Sequence, residues 1–358
     1  MASKALTVSA YHAKLVELTR HPDIDLTCVV PPAWAGRRRE TVEPRGYRLI
    51  EQPIRFDGNH HLFHWVGLPR LIQSSRPHIL HIDEEPYDLA TFLATRAART
   101  AGSRVVFFTW QNLLKRLPPP FRQMERYVYA SASAAIAGSS EAVSVLARKG
   151  YRGPTIVLPQ FGVDPETFRP RGPHTSASFE IGYVGRLVPE KGVDLLLQAA
   201  ATLSGEWRLT VLGDGPERQR LVALADRLGV ARRVTWQPAV ASSDVPSQMA
   251  ALDVFVLPSL TRPNWKEQFG RVLVEAMASG VPPVGSTCGE IPSVIGDAGL
   301  LFAEGDVAGL AGALTRLQRD PGLRSSLAAR GRKRVLSLFT HARIASETVD
   351  LYRSVAAR

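Results

Sequence analysis

Two glutamates eight positions apart, Glu267 and Glu275 in EQFGRVLVEAMASG (267–280), frame Phe269-Gly270 and an apolar-periodic run that stops at Gly280. The periodicity predicts a helix that starts near Phe269-Gly270, leaving Glu267 outside it and Glu275 in its second turn. A carboxylate is an acceptor-only group suited to paired hydroxyls of a sugar or ribose, and the helix N-terminus between the two offers free N–H groups to a negative charge. Even with the whole stretch helical, the pair would stand about 12 Å apart along the axis, too far for the paired carboxylates of a hydrolase.

Cations suited to phosphate appear earlier, in GRLVPEKG (185–192), where Gly185, Arg186, Lys191 and Gly192 follow an apolar run at a strand-to-helix turn. Glycines permit close backbone approach, and two cations converge where a helix N-terminus already favours an anion, so a phosphate-bearing ligand is the natural guest. The bland alternative is a surface turn with a solvated Arg and Lys. VLGDGPE (211–217) offers only a G-x-G fragment, without the third glycine of a dinucleotide fingerprint; a tight turn with no ligand explains it equally well.

The first half carries weaker signals. HIDEEPYD (81–88) puts His81, Glu84 and Glu85 where a strand ends, as candidates for acceptor or sugar contacts, against an exposed acidic loop and a buried strand histidine. HHLFHW (60–65) spaces histidines like metal ligands but has no acidic or cysteine companion nearby, so no metal site is expected. PPPFRQMERYVYASA (118–132) mixes Arg122 and Arg126 with aromatic residues; core packing of a helix is the default and a membrane-facing patch the sharper alternative.

Strands alternating with helices must position these groups. In the first half, runs at 24–30, 47–54, 78–83, 104–110, 134–140 and 155–160 read as strands; in the second, 179–185, 207–213, 233–238, 253–259 and 281–286 do. Apolar runs bounded by turn residues and alternating with helices indicate parallel, doubly wound sheets. The unperiodic, Pro/Gly/Ser-rich stretch after Phe161 separates the halves. The expected organisation is an N-terminal domain over 1–165, a linker over 166–178, a second domain over 179–335, and a C-terminal helical segment, 336–358, packing back toward the first.

A chain of 358 residues suits two domains of ordinary size. No apolar run reaches 18 residues and no signal-peptide pattern is readable at the N-terminus, so a cytoplasmic location is expected. Cys28 and Cys288 lie in different halves and read as small apolar fillers. Residues 1–172 carry 23 Lys and Arg against 15 Asp and Glu, a net +8, and residues 173–358 carry 21 against 18. That basic excess favours an anionic partner such as phosphate, nucleic acid or an acidic membrane surface, or else reflects an Arg-rich, Ala-rich genome. No nucleic-acid-binding motif accompanies it.

The motifs GRLVPEKG, LGDGPE and E-x-F-G-x-x-x-x-E-A-M-A-S-G, followed by P-x-V-G-S and GEIPSVI, resemble the donor-binding domain of the family 4 retaining glycosyltransferases, and GVDPETF (162–168) resembles that family's interdomain segment. The resemblance covers about 150 residues of the second half. It implies an α/β GT-B fold, two Rossmann-like doubly wound domains facing across a cleft, and an enzyme that moves a hexose from a nucleotide diphosphate sugar to an acceptor with retention. It assigns Arg186 and Lys191 to the diphosphate, Glu275 to the ribose hydroxyls and Glu267 to the hexose, with the backbone at Gly185, Phe269 and Gly270 close to the donor. No cofactor and no metal ion are implied, the nucleotide sugar being a co-substrate. The acceptor would be a glycan, a lipid-linked sugar or a small molecule, met by residues of the first half: His81, Glu84, Glu85, and Gln111 and Asn112, which stand where members often place a histidine and an acid. MASKALTVSAYHAKL lacks the glycine-rich turn that many members carry at the N-terminus, and Asn264 and Trp265 in TRPNWKEQ lengthen the loop before Glu267. A peripheral contact with anionic lipid at the inner face of a membrane fits the basic first half; a non-catalytic nucleotide-sugar or carbohydrate-binding module is the reading of another class.

Overall fold

The computed structural model describes residues 1–170, 172, 178–241 and 244–357, and the chain forms two compact units, Met1–Gly162 with His341–Arg358, and Val163–Thr340.

In the first unit the expected runs form parallel strands: β1 (Thr27–Val30), β2 (Arg48–Glu51), β3 (Ile79–Ile82), β4 (Arg104–Thr109), β5 (Ala134–Ala137) and β6 (Thr155–Val157). β3 to β6 lie side by side in chain order, and β1 pairs with β2. What joins the two groups is one residue: Ala2 makes parallel bridges to Val29 and to Ile82. Beside that bridge lies a cavity of about 550 Å³ with Leu26, Val29, Leu68, Ile72 and Leu80 in its wall. Helices α1 (His12–Thr19), α2 (Leu68–Ser75), α3 (Leu89–Thr100), α4 (Phe121–Ser131) and α5 (Ser140–Arg148) connect the strands. The C-terminal helix His341–Ala356 joins this unit and buries Ile344, Ala345 and Val349. Two antiparallel pairs that period-2 reading does not reveal, 33–34 with 37–38 and 54–55 with 64–65, are too short to carry a pattern.

The second unit is a six-stranded parallel sheet: β7 (Phe179–Val184), β8 (Trp207–Leu212), β9 (Val234–Gln237), β10 (Val254–Leu257), β11 (Pro283–Ser286) and β12 (Leu300–Phe302). Its order is β9-β8-β7-β10-β11-β12. β10 lies against the opposite edge of β7 from β8, so the winding reverses between β7 and β10, and the loops at the carboxyl ends of these two strands become neighbours. β12 was not among the expected strands: it has three residues, one of them the exposed Leu301. Helices α6 (Val193–Ala201), α7 (Arg218–Arg227), α8 (Arg271–Ala278), α9 (Val307–Arg319) and α10 (Pro321–Leu338) cover the sheet. The last two start on aspartates, Asp306 and Asp320, whose side chains accept from Gly309 and Leu323 N–H and so satisfy first-turn donors.

The unit boundary falls after Gly162, earlier than the expected domain end at 165. The reason is packing: Val163 N–H donates to Phe339 O, Phe168 enters the second core, and the Arg332 guanidinium donates to the carbonyls of Pro165, Phe168 and Ala278. The first residues of the expected linker therefore belong to the second unit; Arg171 and 173–177 lie outside the described residues.

Candidate functional site

The second unit assembles its charged residues at the reversal of strand order. β7 runs into Gly185-Arg186-Leu187 and β8 into Gly213-Asp214-Gly215, and the two loops interlock by backbone: Gly185 N–H donates to Leu212 O at 3.0 Å and Leu187 N–H to Asp214 O at 2.9 Å. A Cβ on Gly213 would lie 1.9 Å from Gly185 O, so the glycine in VLGDGPE is required by close approach of two backbones, whatever else that turn does. The buried Tyr183 hydroxyl donates to Arg186 O at 2.8 Å and fixes the loop from below, while the Arg186 side chain stays exposed and makes no ion pair among the described residues.

A 3₁₀ turn over Pro189–Lys191 then delivers Lys191. Its ammonium lies 2.6 Å from Glu267 Oε2, a partner 76 positions away that arrives on the loop after β10. Ser259, fully buried, donates to the same carboxylate oxygen at 2.9 Å, and its own carbonyl accepts from Ser286 Oγ at 2.5 Å. Glu290 N–H donates to Glu267 O at 3.1 Å. The carboxylate is thus oriented by a cation and a hydroxyl and supported on the backbone side, while 10% of its side-chain surface remains open. The Trp265 ring centroid lies 4.8 Å from the same ammonium.

α8 begins at Arg271, and its N-cap is Gly270, held at φ 77° where a Cβ would be strained. Glu267 lies before the helix and Glu275 in its second turn, as the periodicity predicts. The N-cap glycine supplies no side-chain cap, and the dipole of a helix N-terminus favours an anion. Glu275 Oε1 sits 2.9 Å from Arg271 Nε, and burial pushes its carboxyl above the usual range in spite of that arginine. Phe269 packs edge-on against Phe339 with ring centroids 5.7 Å apart. Ser259 and Ser286 have no sequence signal that marks them, since each acts through the strand order; Arg271, four positions before Glu275 on the expected helix, is marked by its spacing alone.

The first-unit candidates occupy different surroundings. His81 is buried, with Nδ1 2.5 Å from the Tyr352 hydroxyl of the C-terminal helix, and burial holds its pKa well below the ordinary value. Glu84 is 4% exposed and ion-paired with Lys4, whose own N–H donates to Glu84 Oε1 at 2.6 Å. Glu85, partly buried, accepts from Thr109 Oγ1 at 2.6 Å and Trp110 N–H at 2.7 Å. Burial pushes both carboxyls up to about 7. The exposed acidic loop is therefore replaced by an acidic turn folded into its own unit. Gln111 Oε1 accepts from Lys149 Nζ at 2.9 Å, that ammonium also binding Glu125 at 2.6 Å, and Asn112 Nδ2 lies 3.3 Å from Glu141 Oε2. The histidines of HHLFHW diverge: His61 pairs with Asp88 at 3.4 Å, His60 packs on Trp34 and His64 on Phe56. Among the described residues no group of three or more His, Cys, Asp or Glu is arranged to hold a metal ion.

Two parallel α/β units, the second with a lysine–carboxylate pair and a helix N-terminus at the reversal of its strand order, have the GT-B class of fold. Solved structures agree across nearly the whole chain: sucrose-phosphate synthase from Thermosynechococcus elongatus superposes with a TM-score of 0.72 at 21% identity, covering 96% of this chain and 92% of that one. Anabaena HepE in complex with UDP gives 0.71 at 20% identity, covering 96% of each. Residues 164–334 match the glycosyl transferases group 1 family and residues 7–160 the glycosyl transferase 4-like domain. The chain belongs to the group 1 glycosyl transferases. Among curated relatives, the lipopolysaccharide core biosynthesis glycosyltransferase LpsE of Rhizobium meliloti is 37% identical over 177 residues, 48% of each chain. The D-inositol 3-phosphate glycosyltransferase of Mycobacterium tuberculosis is 34% identical over 220 residues, 56% of this chain and 44% of that protein. The chain spans about half the length of the curated relatives it matches.

Proposed function

We propose that this chain is a retaining hexosyltransferase that takes its sugar from a nucleotide diphosphate sugar. The observation that carries the reading is the Lys191–Glu267 pair beside the uncapped start of α8. A cation and an acceptor-only group in contact suit a ligand whose phosphate and sugar hydroxyls are joined by one bond. In this reading Arg186, Lys191 and the α8 N–H groups meet the diphosphate, Glu267 accepts from hexose hydroxyls and Glu275 from the ribose. The bond between the anomeric carbon and the phosphate oxygen breaks, and the acceptor hydroxyl bonds that carbon. The acceptor's proton passes to the departing phosphate oxygen, whose charge is met by fixed donors. UDP-glucose is the first donor to test, because HepE, of the same fold, has been crystallised with it. A screen of UDP- and GDP-hexoses, with the anomeric configuration of the product read by NMR, decides: inversion overturns retention, and hydrolysis or transfer with none of the donors overturns the enzyme reading.

The acceptor we propose is lipid-linked or anionic and met at a membrane surface. Leu114 is 45% exposed, and Arg116, Arg122 and Arg126 are exposed on the loop before α4 and on α4 itself, an apolar residue among cations. No helix among the described residues is long and apolar enough to cross a membrane. Attraction to anionic lipid is worth about 1 kcal/mol per basic residue near the surface and is screened within a Debye length. Co-sedimentation with phosphatidylserine vesicles at low salt, lost at high salt, supports this surface; no co-sedimentation at low salt removes it in favour of a soluble acceptor.

A further inference from the structure

The loop between β10 and α8 holds a side chain that none of the donor roles above uses. From Arg262 to Trp265 the chain makes a tight reverse turn closed by two backbone bonds, Arg262 N–H to Trp265 O at 2.8 Å and Trp265 N–H to Arg262 O at 3.1 Å. The turn is stitched to its surroundings on both sides. Leu260 N–H donates to Glu190 O at 2.8 Å, the residue next to Lys191, and Thr261 donates to Glu304 through N–H at 2.5 Å and through Oγ1 at 2.8 Å. The position of the indole is therefore set by backbone hydrogen bonds, and the half-buried ring packs against the core of the unit. The Lys191 ammonium lies over that ring, 4.8 Å from its centroid, and also contacts Glu267.

We propose that Trp265 is a positioning residue for the donor diphosphate: its ring, with Glu267, holds the Lys191 ammonium in one place before the donor arrives. A lysine side chain loses much of its rotamer freedom when it is fixed. A ring face that already fixes it removes that cost from ligand binding, which is how preorganisation raises affinity. Because Glu267 touches the same ammonium, the sugar-facing and phosphate-facing halves of the site share one cation. The inference rests on the donor-site reading proposed above and adds a residue to it.

The test is a double-mutant cycle read by calorimetry with UDP and, if UDP does not bind, GDP. Trp265→Leu is expected to weaken nucleotide binding about 3- to 30-fold in the natural background, the range of a partly desolvated cation–π contact, and less than about 2-fold when Lys191 is already Ala. Trp265→Phe, which keeps a ring of weaker face and is the milder change in volume, is expected to fall between Leu and Trp. Equal losses from Trp265→Leu in both backgrounds, no loss in the natural background, or a Phe variant as weak as Leu overturns the positioning role while leaving the donor site intact. If the natural protein binds neither nucleotide, the donor-site reading falls and this inference falls with it. Thermal unfolding of each variant within a few degrees of the natural protein shows that the losses belong to the site.

Discussion

The loop after β7 and the loop after β3 both leave the carboxyl end of a parallel strand, and they use their charges in opposite ways. After β7, Arg186 is exposed and Lys191 keeps 20% of its side chain open beside Glu267. After β3, Asp83, Glu84 and Asp88 are almost fully buried and bound to partners within their own unit: Gln160 for Asp83, Lys4 for Glu84 and His61 for Asp88. A charge left near solvent can be recruited by a ligand at small desolvation cost, whereas a charge sealed in the protein has had that cost met by fixed partners and gives little back on binding. The same fold thus carries one strand end whose cations keep contact with solvent and one wired to its own framework.

Three experiments press on this contrast. The largest effect is expected at Glu267: Glu267→Gln should lower sugar transfer about 100-fold, the scale of a misplaced reacting group, while free nucleotide affinity changes much less, since the Trp265 ring still holds Lys191. Equal losses in transfer and in nucleotide affinity would assign Glu267 to the nucleotide instead. Next, Arg186→Ala and Lys191→Ala should each weaken nucleotide binding by about 1 to 3 kcal/mol, the range of charge-assisted hydrogen bonds. Glu275→Gln should weaken free nucleotide and nucleotide sugar alike by about 1 kcal/mol. Calorimetry on folded variants that shows unchanged affinity breaks the donor assignment.

The smallest effect belongs to the first unit and concerns stability. The folded carboxyls of Glu84 and Glu85 take up protons near pH 7, against 4.5 for an ordinary glutamate. Between those values these two groups hold protons in the folded chain that the unfolded chain has released, so their contribution to stability falls as pH rises through this window, while His81, held neutral by burial, works in the opposite direction. Glu85→Gln should remove part of that slope and shift the melting temperature at pH 8 by no more than a few degrees, given that about 1 kcal/mol moves a domain of this size by roughly 2 to 4 °C. A melting-temperature difference between the natural protein and Glu85→Gln that stays constant from pH 5 to 7 would show Glu85 ionised in the fold throughout that window.

The strands were legible because buried parallel strands are short apolar runs between turn residues, a pattern that local composition preserves. β12 was not, since three residues with Leu301 exposed carry no such pattern. The start of α8 could be placed from Gly270 and the apolar spacing after it, because a helix boundary is a local event. The Ala2 bridge could not, since one residue acquires a strand's role only from the neighbours on either side of it.

The sequence by itself determined which residues could meet phosphate and sugar: Arg186, Lys191, Glu267 and Glu275 are fixed in type and in local element by the chain around them. Only the tertiary structure decided which of them meet. Lys191 and Glu267, 76 positions apart, form one pair because β10 adds to the far edge of β7, and nothing local encodes the order in which strands assemble. The same holds for Trp265 over Lys191 and for Ser259 on Glu267. In the first unit the acids of HIDEEPYD looked equally open to a ligand, and it was burial against Lys4, Thr109, Trp110 and Gln160 that turned them inward. Residue chemistry is a property of the chain; whether a charge faces a partner within the protein or is left for a ligand depends on long-range packing, which brings distant residues to within hydrogen-bonding distance and sets what solvent can reach.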